Sequence, residues 1–383
     1  MKYCKRCVMP DTRPGLVFEN GVCSACLNYE KKKHIDWDQR WQELEKLCSK
    51  YRDCNDDDYD CAIAVSGGKD SHFQVYIMKE LLGMNPLLLT VNGFSWTETG
   101  QKNIANISDA YGCDVLSLNL NRKAFKIMAV KALKELGSPM WYYDAAIYAF
   151  PYKIAMKLGL KLLIYGENVN YEYGGKYNFE TPNALDQFKN DVVKPIDFKK
   201  WIGNEITMKD LEVVKFPTYD EMEKAGLEPI YLSYFVLWDS HHNYEVAKRH
   251  GFHHMDHEYK REGTIENYNQ IDSLGYLINQ WFKYPKYGHA SVTEMASRWI
   301  RAGRLTREEA IPLVKKYDKC LDQGALDEFL EFTGLTVKEF WEITDKWYNP
   351  NLFEKDKFGV WKEKFDLRET NSKEQKDIKI ITT

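Results

Sequence analysis

The stretch that decides how this chain folds is residues 61–71, Cys61-Ala62-Ile63-Ala64-Val65-Ser66-Gly67-Gly68-Lys69-Asp70-Ser71. The apolar run at its start predicts a short buried strand, and the pattern from His72 to Leu82 predicts a helix. Between them, two glycines let backbone N–H groups come close to a phosphate. Ser71 is expected to cap the helix, whose first turn adds partial positive charge, and Lys69 adds a full one. Asp70 would repel a bare anion, so its presence points to a magnesium ion shared with the phosphates. The spacing is shorter than the Gly-x-x-x-x-Gly-Lys-Ser/Thr loop. Against a plain connecting turn stands the full set of Ser, Lys, Asp and Ser around the glycines after a strand.

Outward from this loop, strands and helices alternate. Pro86 to Val91, Asp114 to Leu118 and Leu160 to Tyr165 read as further buried strands, separated by helical patterns at Thr99 to Tyr111, Ala124 to Leu136 and Tyr143 to Leu158. This rhythm predicts an α/β fold with a parallel, doubly wound sheet. Ligands of such sheets sit at the carboxyl ends of the strands. Val91 and Asn92 therefore fall where an adenosine would be read, and Gly166 with Glu167 falls where a second carboxylate could meet the metal or the nucleotide. From Val169 to His257 the rhythm breaks down, and a substrate-binding insertion is expected there. That stretch holds Lys176 and the histidines 241, 242, 250, 253, 254 and 257, whose spacing shows no convergence on a second metal. Residues 261–272 are dense in polar groups, residues 274–346 read as largely helical, and 373–379 as a charged end.

With 383 residues the chain is long enough for two or more domains. The expected divisions are 1–29 (a metal knuckle), 30–58 (a helical linker ending in the polar hinge Asn55 to Asp58), 59–168 (the nucleotide domain), 169–272 (the insertion) and 273–383 (a helical C-terminal region). No apolar run is long enough to span a membrane, and Cys4, Arg6 and Cys7 stand where a signal peptide needs apolar residues, so a cytoplasmic protein is expected. A net charge of −4 exerts no general pull toward nucleic acid.

Four of the nine cysteines form two pairs, Cys4-x-x-Cys7 and Cys23-x-x-Cys26. Each pair aims two thiolates at one point, and two pairs complete a tetrahedral zinc shell; a redox couple would need only one. The Pro- and Gly-containing loop from Val8 to Val22 predicts a zinc ribbon with a short hairpin. With all four ligands supplied by protein, the ion is structural and stabilises a knuckle that lacks its own core.

The loop at Ser66 to Ser71 resembles the pyrophosphate loop of ATP pyrophosphatases. The opening run Tyr3 to Pro14, the pair at Cys23 and Cys26, that loop, Tyr165-Gly166-Glu167-Asn168, Gly263-Thr264 and Ala302 to Ala310 together resemble the bacterial N-acetyl sugar amidotransferases of O-antigen and pseudaminic or legionaminic acid pathways. The likeness spans nearly the whole chain. It implies the ATP pyrophosphatase type of α/β sheet, and an ATP-dependent conversion of an acetamido to an acetamidino group through an adenylylated intermediate. Ser66, Gly67, Gly68, Lys69 and Ser71 would contact phosphate; Asp70, with Glu167, would hold magnesium; the insertion and residues 261–272 would recognise a sugar, free or nucleoside-diphosphate-linked. Lys2 at the second position and the lack of a Gly-x-Cys-x-Gly elbow leave no glutaminase nucleophile, so ammonia is expected from separate glutaminase and tunnel subunits like those of histidine biosynthesis. The competing expectation is a zinc-containing tRNA-modifying ATP pyrophosphatase of the thiolase kind. That role calls for a basic surface and a reactive cysteine, whereas this chain is mildly acidic.

Overall fold

The computed structural model describes residues 1–52, 58–94, 96–175, 180–187 and 197–370. Cys54, most of the hinge at Asn55 to Asp58, Lys176 and the charged end at 373–379 lie outside the described residues. The chain opens with a hairpin, β1 (Phe18–Glu19) and β2 (Val22–Cys23), then helices α1 (Ser24–Lys32) and α2 (Trp37–Ser49). The sheet unit follows as β3 (Cys61–Ala64), α3 (Lys69–Val75), β4 (Pro86–Asn92), α4 (Glu98–Tyr111), β5 (Val115–Asn119), α5 (Arg122–Leu136), α6 (Trp141–Lys157) and β6 (Leu162–Tyr165). A π-helical turn at Tyr76–Leu81 continues α3. Next come α7 (Val169–Tyr173), α8 (Met208–Leu211), α9 (Tyr219–Ala225), β7 (Glu228–Tyr231) and α10 (Ser240–Arg249). The C-terminal region holds α11 (Gly275–Trp281), α12 (Lys283–Tyr287), α13 (Ser291–Arg301), α14 (Arg307–Tyr317), α15 (Gln323–Thr333) and α16 (Val337–Asp345), and ends in a hairpin of β8 (Phe353–Lys355) and β9 (Trp361–Glu363).

The central sheet has five parallel strands in the order β5-β4-β3-β6-β7. Its inner strands are apolar on both faces because both are covered. Ala62, Leu87, Leu89 and Val91 pack toward α5, α6 and the C-terminal helices. Cys61, Ile63, Val65 and Leu88 pack on the other side with α2, α4 and the aromatic residues Phe73 and Trp238.

One element departs from the sequence reading. The sheet runs past residue 168, because β7 comes from the stretch 169–257 where the strand–helix rhythm breaks down. Its sequence, Glu-Pro-Ile-Tyr, lacks a continuous apolar run; Pro229 is tolerated because β7 is an edge strand. The C-terminal region is mostly helical, as expected, and closes with the hairpin. Asp356 accepts from the backbone N–H groups of Phe358 (2.9 Å) and Val360 (3.0 Å), closing the turn between β8 and β9.

Candidate functional site

The residues singled out after strands all arrive at one edge of the sheet. Ser66 to Ser71 follow β3, Val91 and Asn92 end β4, and Gly166 and Glu167 follow β6. β3 lies between β4 and β6, so this is the carboxyl edge on both sides of the central strand.

The turn itself is shaped by glycine. Gly67 has φ +84°, and a Cβ there would stand 3.1 Å from the Ile104 backbone nitrogen on α4. A Cβ on Gly68 would meet Ser66 Oγ at 3.3 Å. Gly68, not Ser71, occupies the cap position of α3. Ser71 lies within the first turn, where its hydroxyl accepts from the Ser66 N–H at 2.9 Å and ties the loop to the helix. A residue inside the helix cannot also cap it, which corrects the capping role expected from the sequence.

Beneath the loop sits a residue the sequence reading passed over. His72 is fully buried, with Nδ1 3.1 Å from Gly68 O and Nε2 3.1 Å from Asn106 Nδ2. An amide N–H₂ only donates, so Nε2 accepts and Nδ1 carries the proton toward the carbonyl. Burial lowers the His72 pKa to about 4, so this prop under the glycine turn stays neutral.

Lys69 and Asp70 pair with each other, Nζ to Oδ2 at 2.5 Å. Lys69 is 5% exposed and also reaches Asn269 Oδ1 at 3.4 Å; Asn243 on α10 donates to the other Asp70 oxygen at 2.8 Å. Glu167 is half-buried, and its pKa is pushed up to about 7, first by desolvation and then by the Asp70 charge, with Lys69 opposing. Carboxylates supply hard oxygen donors of the kind a divalent cation takes. Val91 O accepts from Tyr143 at 3.2 Å. Asn92 Nδ2 donates to Asn119 Oδ1 at 2.8 Å, while Asn92 Oδ1 is buried with no protein partner among the described residues. A Cβ on Gly166 would stand 3.0 Å from both Gln74 and Trp238.

The segment expected to recognise a sugar carries a hydrogen-bonded network of its own. The Arg261 guanidinium donates to the carbonyls of Glu266, Asn269 and Gln270 at 2.6, 2.6 and 3.0 Å. Glu266 is buried and accepts from Arg298 (3.1 Å), Trp299 (2.5 Å) and Asn269 (2.5 Å). The Arg298 guanidinium also lies 5.6 Å from the centre of the Tyr173 ring. Burial pulls Arg298 down, yet Glu266, Tyr173, Glu294 and Asp70 together hold it above its ordinary value. Polar density alone did not reveal that these groups satisfy one another.

Cys4, Cys7, Cys23 and Cys26 converge, with all four sulfurs within 4.8 Å of one another. Cys4 and Cys26 are 4.0 Å apart, Cys7 and Cys23 3.7 Å. Backbone N–H groups of Arg6, Cys7 and Cys23 point at Cys4 Sγ at 3.3–3.5 Å, an arrangement that favours thiolates. These residues could hold a metal ion. The knuckle is clamped to the loop after β6. Asn28 donates to Tyr171 O at 3.0 Å, buried Lys32 pairs with Glu172, and Arg13 reaches Gly174 O at 3.2 Å and pairs with Glu294. No other group of three or more metal-ligating side chains forms among the described residues, the histidines of the insertion included.

Residues 262–367 match the family described as LPS biosynthesis protein WbpG-like, C-terminal domain. This part of the chain is similar to that domain. The match agrees with the resemblance read from the sequence. The matched region takes in α11 to α16 and the terminal hairpin, and Glu266, Asn269 and Arg298 lie within it. An uncharacterized protein of Methanocaldococcus jannaschii, MJ1599, is 26% identical over 178 residues, 44% of this chain and 60% of that protein. NMN synthetase from Francisella tularensis superposes over 70% of this chain and 94% of its own, at 11% identity and a TM-score of 0.33. The U34-tRNA thiolase NcsA from Methanococcus maripaludis, with its 4Fe–4S cluster, superposes over 79% and 86%, at 13% identity and a TM-score of 0.30. Likeness at these scores establishes neither mechanism nor substrate.

Proposed function

We infer that this chain is an ATP-dependent amidotransferase that converts the acetamido group of an N-acetyl sugar to an acetamidino group in bacterial surface-polysaccharide or nonulosonic acid biosynthesis. One observation carries the reading: a Ser-Gly-Gly-Lys-Asp-Ser loop at the carboxyl edge of a parallel sheet stands against a WbpG-like domain. An amide oxygen is a poor leaving group. In the proposed reaction it bonds to the α-phosphorus of ATP as the bond to pyrophosphate breaks. Ammonia then bonds to the former carbonyl carbon, gives up protons, and the carbon–oxygen bond breaks to release AMP.

The loop and Lys69 would take the departing pyrophosphate, stabilising charge as it develops. Asp70 and Glu167 would hold magnesium, which would neutralise the phosphates. Binding then requires Lys69 and Asp70 to exchange each other for phosphate and cation. Asn92, with an unpartnered buried oxygen, would accept from the adenosine. The four cysteines would hold structural zinc. No described helix is long and apolar enough to cross a membrane, and we place the reaction in the cytoplasm with separate glutaminase and tunnel subunits supplying ammonia. A tRNA-thiolating role is less well supported. It calls for an activated thiol, whereas among the described cysteines outside the knuckle burial pushes Cys48 up to about 12 and raises Cys61, Cys113 and Cys320.

Incubation with ATP, magnesium, ammonium and candidate N-acetyl sugars tests the reading. The expected outcome is AMP together with a product in which NH replaces O, with ammonium but not glutamine as nitrogen source for the isolated chain. ATP turnover that depends on tRNA and on no sugar would overturn it.

A further inference from the structure

We propose that Asn269 is a positioning residue for Lys69, so that the C-terminal domain completes the ATP loop begun by the sheet. This rests on the reading of that loop given above. Asn269 lies 200 positions from Lys69 in sequence, and its orientation is chemically forced. Glu266 is a carboxylate with a fully buried side chain, and an ionised carboxylate only accepts. Asn269 therefore presents its NH₂ to Glu266 at 2.5 Å, which turns its carbonyl toward Lys69 Nζ at 3.4 Å. Arg298 donates to the same Glu266 oxygen at 3.1 Å and Trp299 to the other, and Arg261 holds the backbone at 266, 269 and 270. Gln270, next in the chain, is fixed at φ +48°. The amide can neither flip nor drift without leaving buried groups unpaired.

Lys69 has three protons to donate. Asp70 takes one now, but an aspartate drawn to a cation loosens that hold. Asn269 is then the protein acceptor that keeps the ammonium aimed at the loop, acting through Lys69 without touching the nucleotide.

A double-mutant cycle on the full chain, reading AMP formation, tests this. Hydrogen bonds to charged groups are worth about 1.5–3 kcal/mol, so Asn269→Ala should lower kcat roughly 10- to 100-fold while the KM for ATP moves less than about threefold. Lys69→Ala should lower kcat at least as far, and the double variant should be no slower than Lys69→Ala alone. Additive losses, or an Asn269→Ala enzyme as fast as the parent, would overturn the proposal while leaving the ATP reading intact. A Lys69→Ala enzyme as fast as the parent would instead defeat the ATP reading and this proposal with it. If Asn269→Ala does not fold, Asn269→Ser replaces it in the same cycle, with the same expected and overturning results.

Discussion

Replacing Cys26 with serine should do far more than remove one sulfur. Around a zinc ion with Zn–S bonds of about 2.3 Å, a regular tetrahedron has S···S edges of about 3.8 Å. The observed separations of 3.7 and 4.0 Å bracket that edge. A four-iron cluster binds each cysteine at a different corner of a cube, and would spread the sulfurs much more widely. The knuckle's apolar core consists of Met9, Leu16, Phe18, Ala25 and the four cysteines themselves, so ligands make up half of it. Structural zinc contributes about 10–16 kcal/mol to the folding of such units, comparable to or above the whole stability of an ordinary domain. Arg301 lies in the field of Cys26, Cys7 and Cys23, which outweighs its burial and holds its pKa above the ordinary value, and Arg307 donates to the carbonyls of Cys4 (3.3 Å) and Cys7 (3.2 Å). The parent should carry one zinc per chain by elemental mass spectrometry, with a single sulfur shell at about 2.3 Å by X-ray absorption. Cys26→Ser should lose zinc, expose residues 1–32 to limited proteolysis and, through Lys32 and Arg13, slacken the loop after β6 and lower activity. Iron in stoichiometric amount, or a Cys26→Ser protein with unchanged metal content and protection, would refute the reasoning.

Three further outcomes are expected. Lys69→Ala should cut AMP formation by roughly 10²–10³-fold, as checked by coupled pyrophosphate release. Because the folded pKa of Glu167 lies above its ordinary 4.5, its stabilising contribution is full below that value and lost as pH rises through about 7; urea midpoints of parent and Glu167→Gln should move apart over that window. Lys32→Ala, which strands buried Glu172, should cost about 3–5 kcal/mol, and Lys32→Met with Glu172→Leu should recover most of it by urea titration.

The strands at Cys61, Pro86 and Leu162 were legible because buried parallel strands are apolar on both faces, and the loop after the first because glycines between strand and helix leave few alternatives. The edge strand β7 was not legible, since a strand with one neighbour tolerates proline and a polar residue. His72 read as one more helical residue, and nothing local marks a histidine as a prop under a turn. Arg261 and Glu266 read as a ligand surface because composition reports polarity and not whether polar groups are already satisfied.

By itself, the sequence determined what could be written in short spacings: paired cysteines, glycines flanked by Ser, Lys and Asp, and the strand–helix rhythm. Local chemistry sets these, since a turn or a two-residue gap constrains its own atoms. Tertiary structure alone decided that Asn269 faces Lys69, that Asn243 holds Asp70, and that the knuckle grips the loop after Glu167. Those pairings join residues 140 to 200 positions apart, as from Lys32 to Glu172 and from Lys69 to Asn269, and such contacts exist only once the helices have packed on the sheet.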